Sequence, residues 1–314
     1  RVPPPTHAPN PPACSDHAWQ EHAARAIWHL AALTEIHSVI TEAGAIPELV
    51  QLLKTGSPKA QEMAAAGLSD LALGAVQERQ VKAAEYEAEG KKMAASKAAA
   101  KAAKEAKEAE AAAAAERGDE AAEDGGGGGD EGEEGVQEDE DLDPNDRLVM
   151  ISDCGGIMPL VALLSSGTTQ ARENAAGALW HLALDRSNQI AIARVNGISP
   201  LVTMLDEGTE QAHKHASDAL KRLAVMNADN QAQIAKHCVA LLGNQNTGTQ
   251  RRAAQALRDL AAENPGSPVV IVNAGAISPL VTLLSSGAPE VKQEAADALS
   301  TLAFNSPSTQ LAIA

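Results

Sequence analysis

The sequence predicts an all-α, superhelical stack of short helical repeats, interrupted once by a long charged helix and an acidic linker. Three observations carry that expectation. Two motifs recur at one period. The 314-residue chain is 44% hydrophobic but only 2% aromatic, so Leu, Ile, Val and Ala must fill the core. These are side chains suited to closely stacked helices, and Ala and Leu are the best helix formers. Finally, residues 75–146 hold 22 acids and 9 bases, whereas the remainder is nearly balanced, so the net charge of −17 belongs mostly to one segment.

The first motif is a Gly-Ile-Pro-Leu-Val cluster followed by a Leu pair. It reads GAIPELVQLL from Gly44, GIMPLVALL from Gly156, GISPLVTML from Gly197 and GAISPLVTLL from Gly275, with a degenerate CVALL from Cys238. The second is an Ala-Leu-x-x-Leu-Ala helix end whose fourth residue is His29, Asp70, His181, Arg222, Asp259 and Thr301. The spacings are 41, 111, 41, 37 and 42, and Leu49 to Leu160 in the first motif is also 111. One period near forty residues has therefore been split by an insertion of about seventy residues.

Each unit reads as a short helix, a second helix and a longer third one. From Ser187 to Leu223, Ile190, Ile192 and Val195 lie on a short helix that Gly197 breaks. Pro200 sits in the first turn of the second helix, where its missing N–H costs nothing. Glu207-Gly208-Thr209 forms a turn, with Thr209 as N-cap. Ala212, Ala216, Ala219, Leu220, Leu223 and Ala224 then make an apolar stripe at helical spacing. A unit this small cannot bury its own stripe, but stacked neighbours can. Four full repeats are expected, with a partial one at 16–33 and another beginning at the C-terminus.

The combined pattern, GxIxPLVxLLxSG followed by AAxALxxLA, resembles the armadillo (ARM) repeat family over roughly 16–73 and 147–314. A HEAT repeat has a similar period but lacks the Gly-x-Ile-x-Pro lead-in. The resemblance implies a right-handed superhelical armadillo solenoid of three-helix repeats. Its third helices would line a concave groove that binds extended peptides or partner proteins. With Ala175, Leu179, Leu182 and Ala183 in the buried stripe, positions 180 and 181 should turn toward that groove. The same register selects Trp28, His29, Asp70, Trp180, His181, Lys221, Arg222, Arg258, Asp259 and Thr301 as candidate partner-binding residues.

Family members that carry nuclear-import cargo place Asn at the second position of each pair and Trp one turn earlier. Here that second position never holds Asn, so an import-adaptor role is the least favoured. Lys214, Lys221, Arg222, Arg251, Arg252 and Arg258 concentrate positive charge in two third helices, with His213 and His215 nearby. They read either as ordinary solvated charge or as a groove stretch for acidic peptides. Nucleic acid is not expected, because the patch lacks interleaved aromatics. Trp28 and Trp180, in matching AxWHLA contexts, read as packing residues or as groove anchors.

The domain organisation follows. Residues 1–15 form a Pro-rich disordered tail, and 16–74 are repeats, the first partial. Residues 75–146 are the insert: a charged Ala/Lys/Glu helix at about 78–117, supported by spacings such as Glu87 to Lys91, then an acidic Gly-rich disordered linker at 118–146. Repeats continue over 147–314, the last truncated. The insert helix lacks a sustained a/d stripe, which disfavours a coiled coil.

No catalytic constellation, metal site or cofactor site is expected. There is no P-loop, dinucleotide fingerprint or nucleophile elbow. His213 and His215, two apart on a helix, point to different faces and cannot share a metal. Cys14, Cys154 and Cys238 are too few and too scattered for a disulfide framework, which suggests a reducing compartment, cytoplasm or nucleus. No stretch is long and apolar enough to span a membrane, and neither a membrane nor a small-molecule substrate is expected as partner. The reading is a non-enzymatic protein-interaction scaffold. The alternative is the substrate-recruiting armadillo region of a larger U-box ubiquitin ligase.

Overall fold

The computed structural model describes the backbone over 16–115 and 146–304, and side chains over 18–97 and 146–304. The expectations for the Pro-rich tail, for the linker up to residue 145 and for the last, truncated repeat lie outside these residues. The chain divides into two units, one of residues 1–76 with 144–314 and one of 77–143. Among the described residues every regular element is helical.

The larger unit opens with α1 (Asp16–Ala31), the third helix of a partial repeat. Three-helix layers follow: α2 (His37–Glu42), α3 (Ala45–Thr55) and the start of α4 (Pro58–Ala115); α5 (Arg147–Asp153), α6 (Ile157–Ser166) and α7 (Thr169–Leu182); α8 (Arg186–Arg194), α9 (Ile198–Thr203) and α10 (Glu210–Ala224). The next layer has only two helices, α11 (Ala228–Leu242) and α12 (Thr247–Glu263). The last described layer is α13 (Ser267–Asn273), α14 (Ile277–Ser286) and α15 (Pro289–Phe304). Four layers thus carry three separate helices each. The layer with the degenerate CVALL motif fuses its first two.

The fusion has a local cause. Between first and second helix the chain turns through one left-handed residue, at Gly44 (φ 85°), Gly155 (φ 74°), Asn196 (φ 57°) and Gly275 (φ 84°). Glycine adopts this conformation without penalty and Asn tolerates it. The helices flanking two of these turns are bent by 78° and 79°. The equivalent residue in the fused layer is Gln233, inside α11, so the helix runs straight on. In the α8–α9 turn the left-handed residue is Asn196, not Gly197 as the sequence suggested. Gly197 is required for a different reason: a Cβ there would lie 2.6 Å from Ile192 Cγ2 and 2.9 Å from the Ile192 carbonyl oxygen.

One core runs through the stack. Leu49, Leu160, Leu201 and Leu280 are each fully buried at the same place on the second helices α3, α6, α9 and α14. The third helices bury Ala-rich stripes such as Ala175, Ala176, Ala178 and Leu179 on α7, and small side chains let neighbours approach closely. All six predicted stripe residues of α10 are buried, and Thr209 accepts the amide of Ala212 as N-cap.

The insert helix begins differently from its expectation. No break separates it from the second layer's third helix, and α4 is continuous from Pro58 to Ala115. After Gly74 the sequence AVQERQ holds no Gly or Pro and is mostly strong helix formers, so nothing stops the helix at the repeat boundary. Along it Glu87 and Lys91 pair at 2.6 Å, and Val81, Tyr86 and Met93 are exposed. Where the chain re-enters the stack, buried Arg147 donates through Nε to the Leu71 carbonyl (3.1 Å). No described helix is long and apolar enough to cross a membrane.

Candidate functional site

The third helices α7, α10, α12 and α15 lie side by side and present one face per layer. Each carries a pair of polar or aromatic residues near its C-terminal end. Trp28 on α1 is half-buried against the core, stacks on exposed His29 at 5.2 Å, and lies beside Asp70 on α4. Burial raises the pKa of Asp70, opposed by the Trp28 indole N–H and by the charge of His37. Trp180 on α7 is likewise half-buried. It stacks against His215 of the next layer at 5.7 Å and tilts over His181 at 4.6 Å.

His181 corrects the expectation that both residues of the pair turn outward. It is buried, only 6% exposed, and its ring nitrogens make no hydrogen bond of normal geometry among the described residues. Burial, with a contribution from the His215 charge, pushes its pKa down to about 4. The equivalent His29 and Arg222 are exposed, so it is the local packing of the neighbouring layers that covers this position in α7. Trp180 takes the outer position and His181 the seam.

Two of the basic residues, Lys221 and Arg258, are also not free surface charges. Lys221 on α10 bridges to Asp259 on α12 at 2.9 Å, with Glu263 at 3.9 Å. Burial alone would lower its pKa, but Asp259, Glu263 and Asp218 outweigh it and leave it raised. Arg258 pairs with its neighbour Asp259 at 3.0 Å and with Glu294 on α15 at 2.6 Å, and its pKa too ends above the ordinary value. Lys221, Arg258 and Asp259 are therefore struts between layers, as is the Trp28–Asp70 contact. Arg222 is exposed and makes no ion pair among the described residues. Thr301 is part-exposed and returns its hydroxyl to the Asp297 carbonyl of its own helix at 2.8 Å.

A second set of contacts escaped sequence reasoning. Glu21 accepts from the Ser57 hydroxyl (2.8 Å), Glu62 from Thr168 (2.8 Å) and Glu173 from Thr209. Each hydroxyl is simultaneously the N-cap of the next third helix, accepting the amide of Ala60 (3.2 Å), Ala171 (3.1 Å) or Ala212 (3.1 Å). The signal was present: Glu21, Glu62 and Glu173 repeat at 41 and 111, the spacings of the motifs. The same register continues as Lys214, Arg251 and Gln293 opposite Asn246 and Ala288, so these carboxylate staples stop at α10.

At the next step two third helices part, although the layers stay packed through α9, α10 and α11. α10 and α12 touch far less than α7 and α10 or α12 and α15. Between them lies a cleft of about 330 Å³, walled by Lys214 and Ser217 on one side and by Arg251, Arg252 and Gln255 on the other. A notch of about 290 Å³ lies beside it, bordered by Trp180, Asp218, Arg222 and Val225, and Lys221 lines both spaces. Chemically the face is equipped for recognition. The Cys238 thiol is fully buried and pushed up to about 12, far from a nucleophile. Among the described residues no three His, Cys, Asp or Glu side chains are placed to hold a metal.

Layered three-helix units around one continuous core define a helical-repeat solenoid. The model for the Armadillo/beta-catenin-like repeat matches residues 37–73, 143–184 and 264–304, so those stretches are armadillo-type repeats. The structure carries the same layering through 185–263, where that model does not match. A crystal structure of an engineered protein aligns with 92% of this chain and 92% of its own at 23% identity and TM-score 0.54. A designed armadillo repeat protein in complex with the peptide (KR)4 aligns over 92% and 95% at 19% identity and TM-score 0.55. Computationally designed armadillo repeat proteins for modular peptide recognition align over 92% and 95% at 20% identity and TM-score 0.54. The search of curated proteins returned no match.

Proposed function

We propose that the chain is a protein-interaction scaffold that holds a partner protein or an extended peptide along its third-helix face. The observation that carries this reading is the opening of that face between α7 and α12, where Trp180 and Arg222 border a notch that shares Lys221 and Asp218 with the α10–α12 cleft. Trp and Arg are the side chains most enriched at interface hot spots, and here one is half-buried and the other exposed without an ion pair. Two of the designed armadillo proteins that share the fold are described as peptide binders, which agrees with this use of the face. The free thiols Cys154 and Cys238 are compatible with action in the cytoplasm or nucleus.

The test is partner capture by the immobilised chain, compared with Trp180→Ala and Arg222→Glu. Truncating a hot-spot aromatic costs about 2 kcal/mol or more, so each variant should retain less than a tenth of the captured partner while its circular dichroism is unchanged. Undiminished capture by both folded variants would contradict the reading.

A further inference from the structure

We propose that the α10–α12 cleft is a carboxylate-binding subsite, built for Glu or Asp side chains of an acidic segment in the partner protein. The inference rests on the scaffold reading above and specifies what one stretch of the face selects.

The staple register changes character at this cleft. In three successive layers a third-helix Glu meets an N-cap hydroxyl of the following layer. At α10 that Glu becomes Lys214, and at α12 Arg251, while the capping residue becomes Asn246, whose Oδ1 is occupied by the amides of Gly248 (2.8 Å) and Thr249 (3.3 Å). Acceptor has become donor at the same place, and the third helices on either side stand apart. Lys214 is exposed, and neither it nor Arg251 makes an ion pair among the described residues.

The charges in the cleft reinforce one another. Arg252 spends Nε on the Leu205 carbonyl (2.6 Å), which leaves its remaining guanidinium N–H groups for other acceptors. Its pKa is lowered by burial and then by the neighbouring charge of Arg251. His213, buried beside them, is lowered by burial and then by Arg252. The effect of Arg251 on its neighbour marks a local excess of positive potential, which an incoming carboxylate relieves. The carboxylates at hand do not suffice. Asp206 already accepts from Asn244 (3.0 Å) and Thr249 (2.6 Å). The Glu210 side chain is 87% exposed and 3.6 Å from His213, and Asp218 acts on Lys221. Lys221 itself is committed to Asp259. Arg251 and Arg252 line the cleft opposite Lys214, and each guanidinium offers a carboxylate a pair of N–H donors.

The probe is a fluorescein-labelled twelve-residue Glu/Gly peptide, titrated by anisotropy against the full chain at 0.05 and 0.5 M NaCl, with a Lys/Arg peptide of equal length and inorganic phosphate as comparisons. Binding of the acidic peptide that weakens about tenfold or more in the Arg251→Glu variant, and again at high salt, is the expected result. Arg186→Glu, an exposed charge reversal on α8, should leave it unchanged. The double variant Lys214→Glu/Asn246→Thr restores the staple pair of the earlier layers. It should lose the peptide while its thermal midpoint stays level or rises, which separates lost recognition from lost folding. Overturning results are acidic-peptide binding that Arg251→Glu and the double variant leave intact, competition by phosphate at equal concentration, or no acidic-peptide binding by the folded chain. If the Lys/Arg peptide binds in its place, the carboxylate subsite fails while the scaffold reading stands.

Discussion

At the scale of single residues, the most consequential placement is His181. A histidine held neutral in a packed seam, with its pKa near 4 against about 6.5 in the unfolded chain, ties stability to pH with a definite sign. The unfolded chain takes up the proton first, so the neutral seam contributes fully above about pH 6.5 and progressively less as pH falls toward 4. The loss approaches about 3 kcal/mol for this group, and His213 acts in the same direction. Thermal melts between pH 7 and pH 4.5 should therefore show a fall in midpoint that His181→Leu reduces. Parallel curves for the two proteins would contradict this placement. The sequence made both residues of the Trp-His pair candidates but could not say which faces out. That depends on the neighbouring layer's Ser69 and His215, which lie 112 and 34 positions away in sequence.

At the scale of elements, the structure divides into contacts a period reveals and contacts it does not. Helix existence, the Thr209 cap and the α10 stripe followed from local spacing, because each depends on residues within one or two turns. The staples join a helix to the cap of the following layer, so their two halves are distant, although each half recurs at the motif spacing. Removing one acceptor leaves the cap in place but deletes the bond between layers. Glu173→Ala should cost about 1 kcal/mol, read as a lower urea midpoint, and Lys292→Ala, exposed on α15, should cost much less. Equal losses would show that the staple contributes nothing. The fused α11 was legible in part: the CVALL copy was recognised as degenerate, and the residue at its turn position is Gln233 rather than Gly or Asn. That the third helices α10 and α12 would stand apart was not legible, because helix spacing is set by three-dimensional packing.

At the scale of the whole molecule, the stack follows from one constraint: a forty-residue unit must bury its apolar stripe against a copy of itself. The sequence carries that constraint openly, and Leu160, Leu201 and Leu280 meet it at equivalent buried positions. The electrostatics of the face were legible only as a count of charges. Of the six basic residues that marked a groove, Lys221 and Arg258 are bound between layers, Lys214, Arg251 and Arg252 gather at the α10–α12 cleft, and Arg222 borders the notch beside it. Pairing of this kind depends on which layers adjoin, and composition does not record it.

The account's central claim is that the third-helix face, and not the surface of the first and second helices, receives the partner. Amide hydrogen exchange of the chain, free and bound to a partner purified by capture, measures this directly. The account predicts slowed exchange concentrated in α7, α10 and α12. Protection centred instead on α6, α9 and α14, whose exposed side chains include Met158 and Val281, would contradict it.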